Sequence, residues 1–146
     1  MEIISENKRA RFDYEISDIT EAGIELNGQE VKSAKKGQFQ IAGAKAIIRG
    51  GEVWLINSHI PPYQPKNAPI DYKEDRVRKL LIKRIEINKF LGKLNDKGHE
   101  LIPIKTYLKN RLIKLEIGLG KIKRKSDKRE AIKKQSQERD MKRYLN

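Results

Sequence analysis

The stretch ELIPIKTYLKNRLIKLEIGLG at residues 100–120 constrains the fold most. Ile102, Ile104, Thr106 and Leu108 alternate along its first half. Ile113, Leu115, Ile117 and Leu119 alternate along its second, with Lys114 and Glu116 directed the other way. A period of two is that of a strand with one buried face. Lys109-Asn110-Arg111 turns the chain between the halves. The two strands read as antiparallel neighbours, and the rest of the chain has to complete a sheet around their apolar side.

Shorter strands are available for this. RFDYEI places Phe12, Tyr14 and Ile16 on one face, and AGIEL places Ile24 and Leu26 at the same period. AKAIIR and EVWLINSHI flank Gly50-Gly51, a pair that tolerates the positive φ of a tight hairpin. Asn27-Gly28 fits a two-residue hairpin, but QEVKSAKKG after it does not alternate, and a short helix ending at Gly37 fits equally well. PPYQPKNAP holds four of the five prolines and predicts a surface loop. Ile87, Leu91 and Leu94 recur three or four apart ahead of Gly98 and predict a helix over about 83–97. KLLI just before it reads either with that helix or as a buried strand. Residues 1–10 are polar and are expected to be loose. About six short strands, one bundle-sized helix and no βαβ rhythm give a mainly β chain with helices. The architecture expected for residues 1–120 is a small antiparallel OB-like barrel with flanking helices, followed by a basic C-terminal tail at 121–146.

Charge sets the class of partner. The chain has 33 Lys and Arg against 20 Asp and Glu, a net charge of +13. Residues 121–146 alone carry 11 basic and 4 acidic side chains. A field of this sign favours polyanions, because each neutralised phosphate releases condensed counterions. The tail lacks the broad apolar face of a membrane-surface helix. No run approaches the roughly 18 apolar residues of a membrane span, and the first twenty residues lack a signal peptide's apolar core. The expectation is a cytosolic, monomeric nucleic-acid-binding protein without membrane contact.

The cations cluster: Lys8, Arg9 and Arg11 before the first strand; Lys32, Lys35 and Lys36 after the second; Arg76, Arg78, Lys79, Lys83 and Arg84 ahead of the helix. Phosphate contact needs such groups but no fixed spacing. Trp54, Tyr63, Tyr72 and Tyr107 are the rings able to stack on splayed bases, although the apolar neighbours of Trp54 favour core packing for it. So few rings point to recognition of folded RNA by shape and backbone more than to reading of single strands. Enzyme signatures are missing: there is no P-loop, no GxGxxG and no nucleophile elbow. His59 and His99 lie on different elements without metal-ligand spacing, and there is no cysteine. Neither catalysis nor a metal or cofactor is expected.

In the tail, Asp127 and Glu130 have the spacing of a capping box. Ala131, Ile132, Met141, Tyr144 and Leu145 beyond them form no continuous stripe. A helix of about 20 residues without a packing face is marginal in water. The tail is therefore expected to be disordered alone and helical against a polyanionic wall.

These pieces together resemble the SsrA-binding protein family (small protein B). The resemblance runs from Asn7 to about Lys133 through NKRARFDY at 7–14, EAGIELNGQEVKS at 21–33, GEVWLINSHIPPY at 51–63, RVRKLLIKRIEI at 76–87, KN at 109–110 and SDKREAIK at 126–133, in family order. The resemblance implies an OB-like barrel with flanking helices and no enzymatic activity. It implies binding to the tRNA-like part of transfer-messenger RNA and delivery of that RNA to stalled ribosomes. The tail would enter the empty messenger channel beside the small-subunit decoding site and become helical there. The family's RNA-contact or RNA-critical positions fall on Asn7, Glu21, Leu81, Lys114, Lys121, Lys123 and Arg124, to which the charge pattern adds Lys8, Arg9, Lys32 and Arg78. Leu81 reads either as apolar contact to an unstacked base or as core. Ser126, Asp127, Lys128, Arg129 and Ile132 are the tail residues expected to meet the ribosome. Ile122 stands where a glycine is usual, which implies a stiffer hinge, and Ser126 replaces a frequent His or Tyr. A general basic OB-type RNA- or ribosome-associated module without transfer-messenger RNA delivery is the alternative reading.

Overall fold

A computed structural model describes the backbone over residues 1–145 and the side chains over 1–124, 128–130 and 132–139. Seven strands and four α-helices follow one another as β1 (Glu2–Glu6), α1 (Ala10–Asp13), β2 (Tyr14–Ile24), α2 (Gly28–Lys35), β3 (Lys45–Arg49), β4 (Glu52–Ile56), β5 (Arg78–Leu81), α3 (Arg84–Leu94), β6 (His99–Lys109), β7 (Leu112–Ile122) and α4 (Lys125–Leu145). All strand pairs are antiparallel, in the order β1-β6-β3-β4-β5-β2-β7, and β7 pairs again with β6. Six strands thus close a ring of hydrogen bonds, and β1 is an addition to it.

The ring is unevenly sewn. β6 and β7 pair along nearly their whole length, from His99↔Lys121 to Lys109↔Leu112. β3 meets β6 through the single pair Ala46↔Leu101. β5 meets β2 through two, Gly23↔Leu81 and Ile24↔Leu80. The free edge of β6 is shared: β3 takes its start and β1 takes Lys105–Leu108.

The β6–β7 hairpin has the expected inward set, with Ile113, Leu115, Ile117 and Leu119 buried. Its turn is two residues, Asn110 and Arg111, both at positive φ. The alternation of β6 fails midway, because a bulge between Pro103 and Lys105 shifts the register. Before the bulge Leu101 joins the core in register with Leu119. After it Thr106 and Leu108 lie in register with Leu115 and Ile113, as expected, and Ile102 and Tyr107 are buried outside that core cluster. Gly50 and Gly51, at φ 63° and 77°, close the predicted β3–β4 hairpin. Val53 and Leu55 of β4 face inward, so Trp54 faces out and its indole donates to the Arg49 carbonyl at 3.3 Å. The core reading for Trp54 is corrected by that alternation.

Other expectations are amended. Residues 2–6 are not loose: they form β1, and Ser5 Oγ lies 2.6 Å from Thr106 Oγ1. Phe12 sits in the short α1, so the strand begins at Tyr14 and runs unbroken to Ile24 across a bulge at Ser17–Thr20. Asn27-Gly28 opens a helix and not a hairpin. Asn27 Oδ1 accepts from Glu30 N and Asn27 N donates to Glu30 Oε1, both at 2.9 Å, a reciprocal capping box. KLLI is strand for its first three residues. The predicted helix is real but buries Ile87 and Phe90, whereas Leu91 is exposed. The core joins these residues to Phe39, Ile41, Ile60, Val53, Leu55, Leu80 and the inner face of β7.

Candidate nucleic-acid interface

Register assembles one row on the outer face of the sheet. Leu81 of β5 lies opposite Gly23 of β2, Gly23 lies opposite Lys114 of β7, and Lys114 lies opposite Tyr107 of β6. A Cβ on Gly23 would sit 3.2 Å from Leu81 Cβ and 3.7 Å from Lys114 Nζ, so the bare glycine lets the apolar side chain and the cation lean together. Leu81 is 49% exposed, which removes the core reading for it. Lys114 points outward between buried Ile113 and Leu115, as expected.

Glu21, two residues before Gly23, shares this face. It accepts from the Tyr107 hydroxyl at 2.5 Å and from Lys109 Nζ at 3.2 Å. The Tyr107 hydrogen bond, assisted by Lys109 and the field of Lys114 and opposed by burial, holds its carboxyl below the usual range. An ionised acceptor, a cation and an exposed leucine therefore stand side by side. That set suits an unpaired nucleotide: phosphate at the cation, an apolar ring face at the leucine, N–H donors at the carboxylate.

A second group lies where the chain enters α1. Asn7 donates through its backbone to Ile104 O at 2.8 Å and through Nδ2 to Pro103 O at 3.1 Å, gripping the β6 bulge. Lys8 and Arg9 are exposed beside it, and Arg9 pairs with Asp13 at 3.3 Å. Glu6, Asn7, Lys8, Arg11, Lys105 and Glu116 line a cleft of about 380 Å³. Lys121 and Arg124 are exposed at the end of β7 and after it. Lys123 is committed locally: its backbone N–H donates to Asp13 O and its Nζ to Arg11 O. Ile122 lies within β7 and donates to Gly98 O, so only Lys123 and Arg124 separate strand from helix, a short and tethered hinge. Lys32 is exposed on α2, outside the row.

Helix α4 begins at Lys125, which places Asp127 within its first turn and not at the cap. The side chains of Ser126 and Asp127 lie outside the described residues. Lys128 Nζ is 3.2 Å from Asp13 Oδ1 and 6.0 Å from the Phe12 ring centroid, docking the start of α4 on α1. Arg129 and residues 132–139, Ile132 included, are exposed.

Arg78 is corrected. It is 0% exposed, and all three of its nitrogens are engaged: Nε with Glu30 Oε2 at 2.7 Å, Nη1 with Ser58 Oγ and Arg76 O, Nη2 with Glu74 O. Arg76 also pairs with Glu30, at 2.6 Å. Burial opposes ionisation of Glu30, but these partners and the Asn27 amide outweigh it and hold its carboxyl low. Glu30 thus caps α2 and fastens β5. Tyr107 is also withdrawn from stacking, being 1% exposed, and Tyr72 spends its hydroxyl on Ile60 O at 2.7 Å. Tyr63 remains exposed. Sequence reasoning missed Gly23, Lys105 and Lys109 as neighbours of the site. For Lys109 the turn that follows it was a signal; for the others only strand register is.

The family model described as SmpB protein matches residues 4–146. An SsrA-binding protein of Gloeothece citriformis is 46% identical over 143 residues, covering 98% of this chain and 92% of its own. One of Coprothermobacter proteolyticus is 45% identical over 144 residues, covering 98% and 96%. A solved chain from a structure described as "tmRNA-SmpB: a journey to the center of the bacterial ribosome" is 41% identical, covers 88% of this chain and 93% of its own, and superposes with a TM-score of 0.68.

Proposed function

This chain belongs to the SmpB family of SsrA-binding proteins, and from that premise we propose how its surface divides the work. It is an RNA-binding protein, not an enzyme, that acts with transfer-messenger RNA in trans-translation and has the ribosome as its second partner. The closed ring of strands is read as an OB-like barrel, and the RNA element it takes as the tRNA-like part. Glu21, Leu81 and Lys114 form the centre of the contact. Asn7, Lys8, Arg9, Lys32, Lys121, Lys123 and Arg124 give it a cationic surround. Arg78 leaves this list and supports the fold. The protein works in the cytoplasm as a monomer.

The observation that carries this reading is the row itself. Glu21, Gly23, Leu81 and Lys114 come from three strands far apart in the sequence and stand on one solvent-facing patch. Helix α4 is read as the arm for the empty messenger channel, where Ser126, Asp127, Lys128, Arg129 and Ile132 meet ribosomal RNA. Its residues 132–139 are exposed, which supports a helix that meets an external wall.

The test is binding to an acceptor and D-loop fragment of transfer-messenger RNA against a plain duplex of equal length. Tighter, salt-dependent binding to the fragment is expected, and equal affinity for both refutes the reading. Deleting residues 121–146 is expected to spare much of this binding and to abolish rescue of stalled ribosomes. A fully active truncation refutes the role given to α4.

A further inference from the structure

Tyr107 lies in register between Ile3 of β1 and Lys114 of β7, with Lys105 Nζ 6.0 Å from its ring centroid. A phenylalanine would fill the same enclosed space. The hydroxyl is used elsewhere: it donates to Glu21 Oε2, while Lys109 Nζ lies 3.2 and 3.4 Å from the two oxygens of that carboxylate. Burial and the bond to Glu21 push the Tyr107 pKa up, so it stays a donor. Opposite Glu21 on β7 stands Glu116, a like charge that drives the two side chains apart. Glu116 turns to Lys105, at 3.7 Å. A glutamate on an open sheet face samples many rotamers, and ordering it on binding costs affinity. Clamped between Tyr107 and Lys109, this one is ordered beforehand.

We propose that Tyr107 is a positioning residue for RNA recognition: without touching the RNA, it aims the Glu21 carboxylate at N–H donors of an unpaired base held between Leu81 and Lys114. The inference rests on the reading of that row as the RNA site.

The experiment is a double-mutant cycle in the full chain, read as affinity for the transfer-messenger RNA fragment. Tyr107→Phe is expected to weaken binding about five- to tenfold, the scale of one hydrogen bond. In a Glu21→Ala background the same substitution is expected to change nothing further. Acidification supplies a readout that packing would not move. Without the hydroxyl, Glu21 protonates at higher pH, so binding is lost at higher pH than in the parent, with Lys109, Lys114, Lys105 and Glu116 unchanged around it. Lys109→Met removes the other half of the clamp from an exposed position. A loss that is likewise silent in Glu21→Ala supports the proposal even if Tyr107→Phe does not fold. Parental affinity in folded Tyr107→Phe, or an equal loss in the Glu21→Ala background, overturns it. Leu81→Ala and Lys114→Ala test the underlying site separately. If both bind as the parent does, that reading fails and Tyr107 falls with it.

Discussion

Glu30→Gln is expected to be among the most damaging conservative substitutions in this chain. Its carboxylate is fully enclosed and accepts from Asn27 N at 2.9 Å, Arg76 Nη2 at 2.6 Å, Arg76 Nε at 3.3 Å and Arg78 Nε at 2.7 Å. The amide keeps the volume but removes the charge that compensates buried Arg78. Uncompensating one member of a buried pair costs about 3–5 kcal/mol, and weakening the capping box adds roughly 0.5–1 kcal/mol. At roughly 2–4 °C per kcal/mol for a chain of this size, the melting temperature should fall by about 7–24 °C. Circular dichroism under urea and heat measures both. The pH dependence adds a sign. The folded carboxyl is held below its unfolded value of about 4.3, so its contribution is complete above that pH and is lost as pH falls through the folded value. The gap between parent and variant should therefore be full at neutrality and narrow below about pH 4. Replacing both partners, as Glu30→Gln with Arg78→Met, should recover part of the loss. A cost under about 1 kcal/mol, or a gap indifferent to pH, would refute the structural role assigned to the pair.

The remaining predictions concern binding and packing. Arg78→Met should leave the salt slope of RNA binding by folded protein unchanged, whereas Lys114→Ala should flatten it by about one phosphate contact; titrations at several salt concentrations decide between them. Gly23→Val should weaken RNA binding, because its side chain fills the gap where Leu81 and Lys114 lean together. Gly118→Ala should destabilise by about 1–3 kcal/mol in urea unfolding, since the new Cβ would lie 2.7 Å from Ile16 Cγ2. Asp13→Ala should release the start of α4, seen as faster proteolysis after Lys123 and Lys128, because both Arg9 and Lys128 lose their shared carboxylate.

How much of this was legible in the sequence depended on the range of the interaction. The β7 strand, the Gly50-Gly51 hairpin, the proline loop and helix α3 rest on contacts within a few residues, and their spacing foretold them. β1 was missed because five polar-flanked residues carry little pattern, and its reason to exist is the distant edge of β6. Tyr107 keeps the outward place its alternation gave it, beside Lys114, but it is enclosed there, with Ile3 of the unforeseen β1 as its other registered neighbour. The bulge between Pro103 and Lys105 inverts the alternation before it, so Leu101 and not Ile102 joins the core. Arg78 was read as a phosphate ligand because its partner Glu30 is 48 positions away and a list of charges does not show pairing. Much of the signature around Asn27 and Glu30 turned out to carry helix capping and a buried ion pair. The RNA chemistry proposed for it resides in Glu21 and in the absent side chain of Gly23.

The two registered pairs between β2 and β5 have a consequence for motion. Gly23 and Leu81 form one of them, so the proposed RNA patch straddles one of the ring's thinnest seams. Amide protons at such a seam exchange through local opening, at less cost than unfolding the whole chain. RNA bound as proposed, to Leu81 on one bank and Lys114 on the other, would act as a clasp across it. Binding of that kind should slow amide exchange at this seam more than elsewhere in the ring, so that the ligand would finish a closure the strands alone leave lightly sewn.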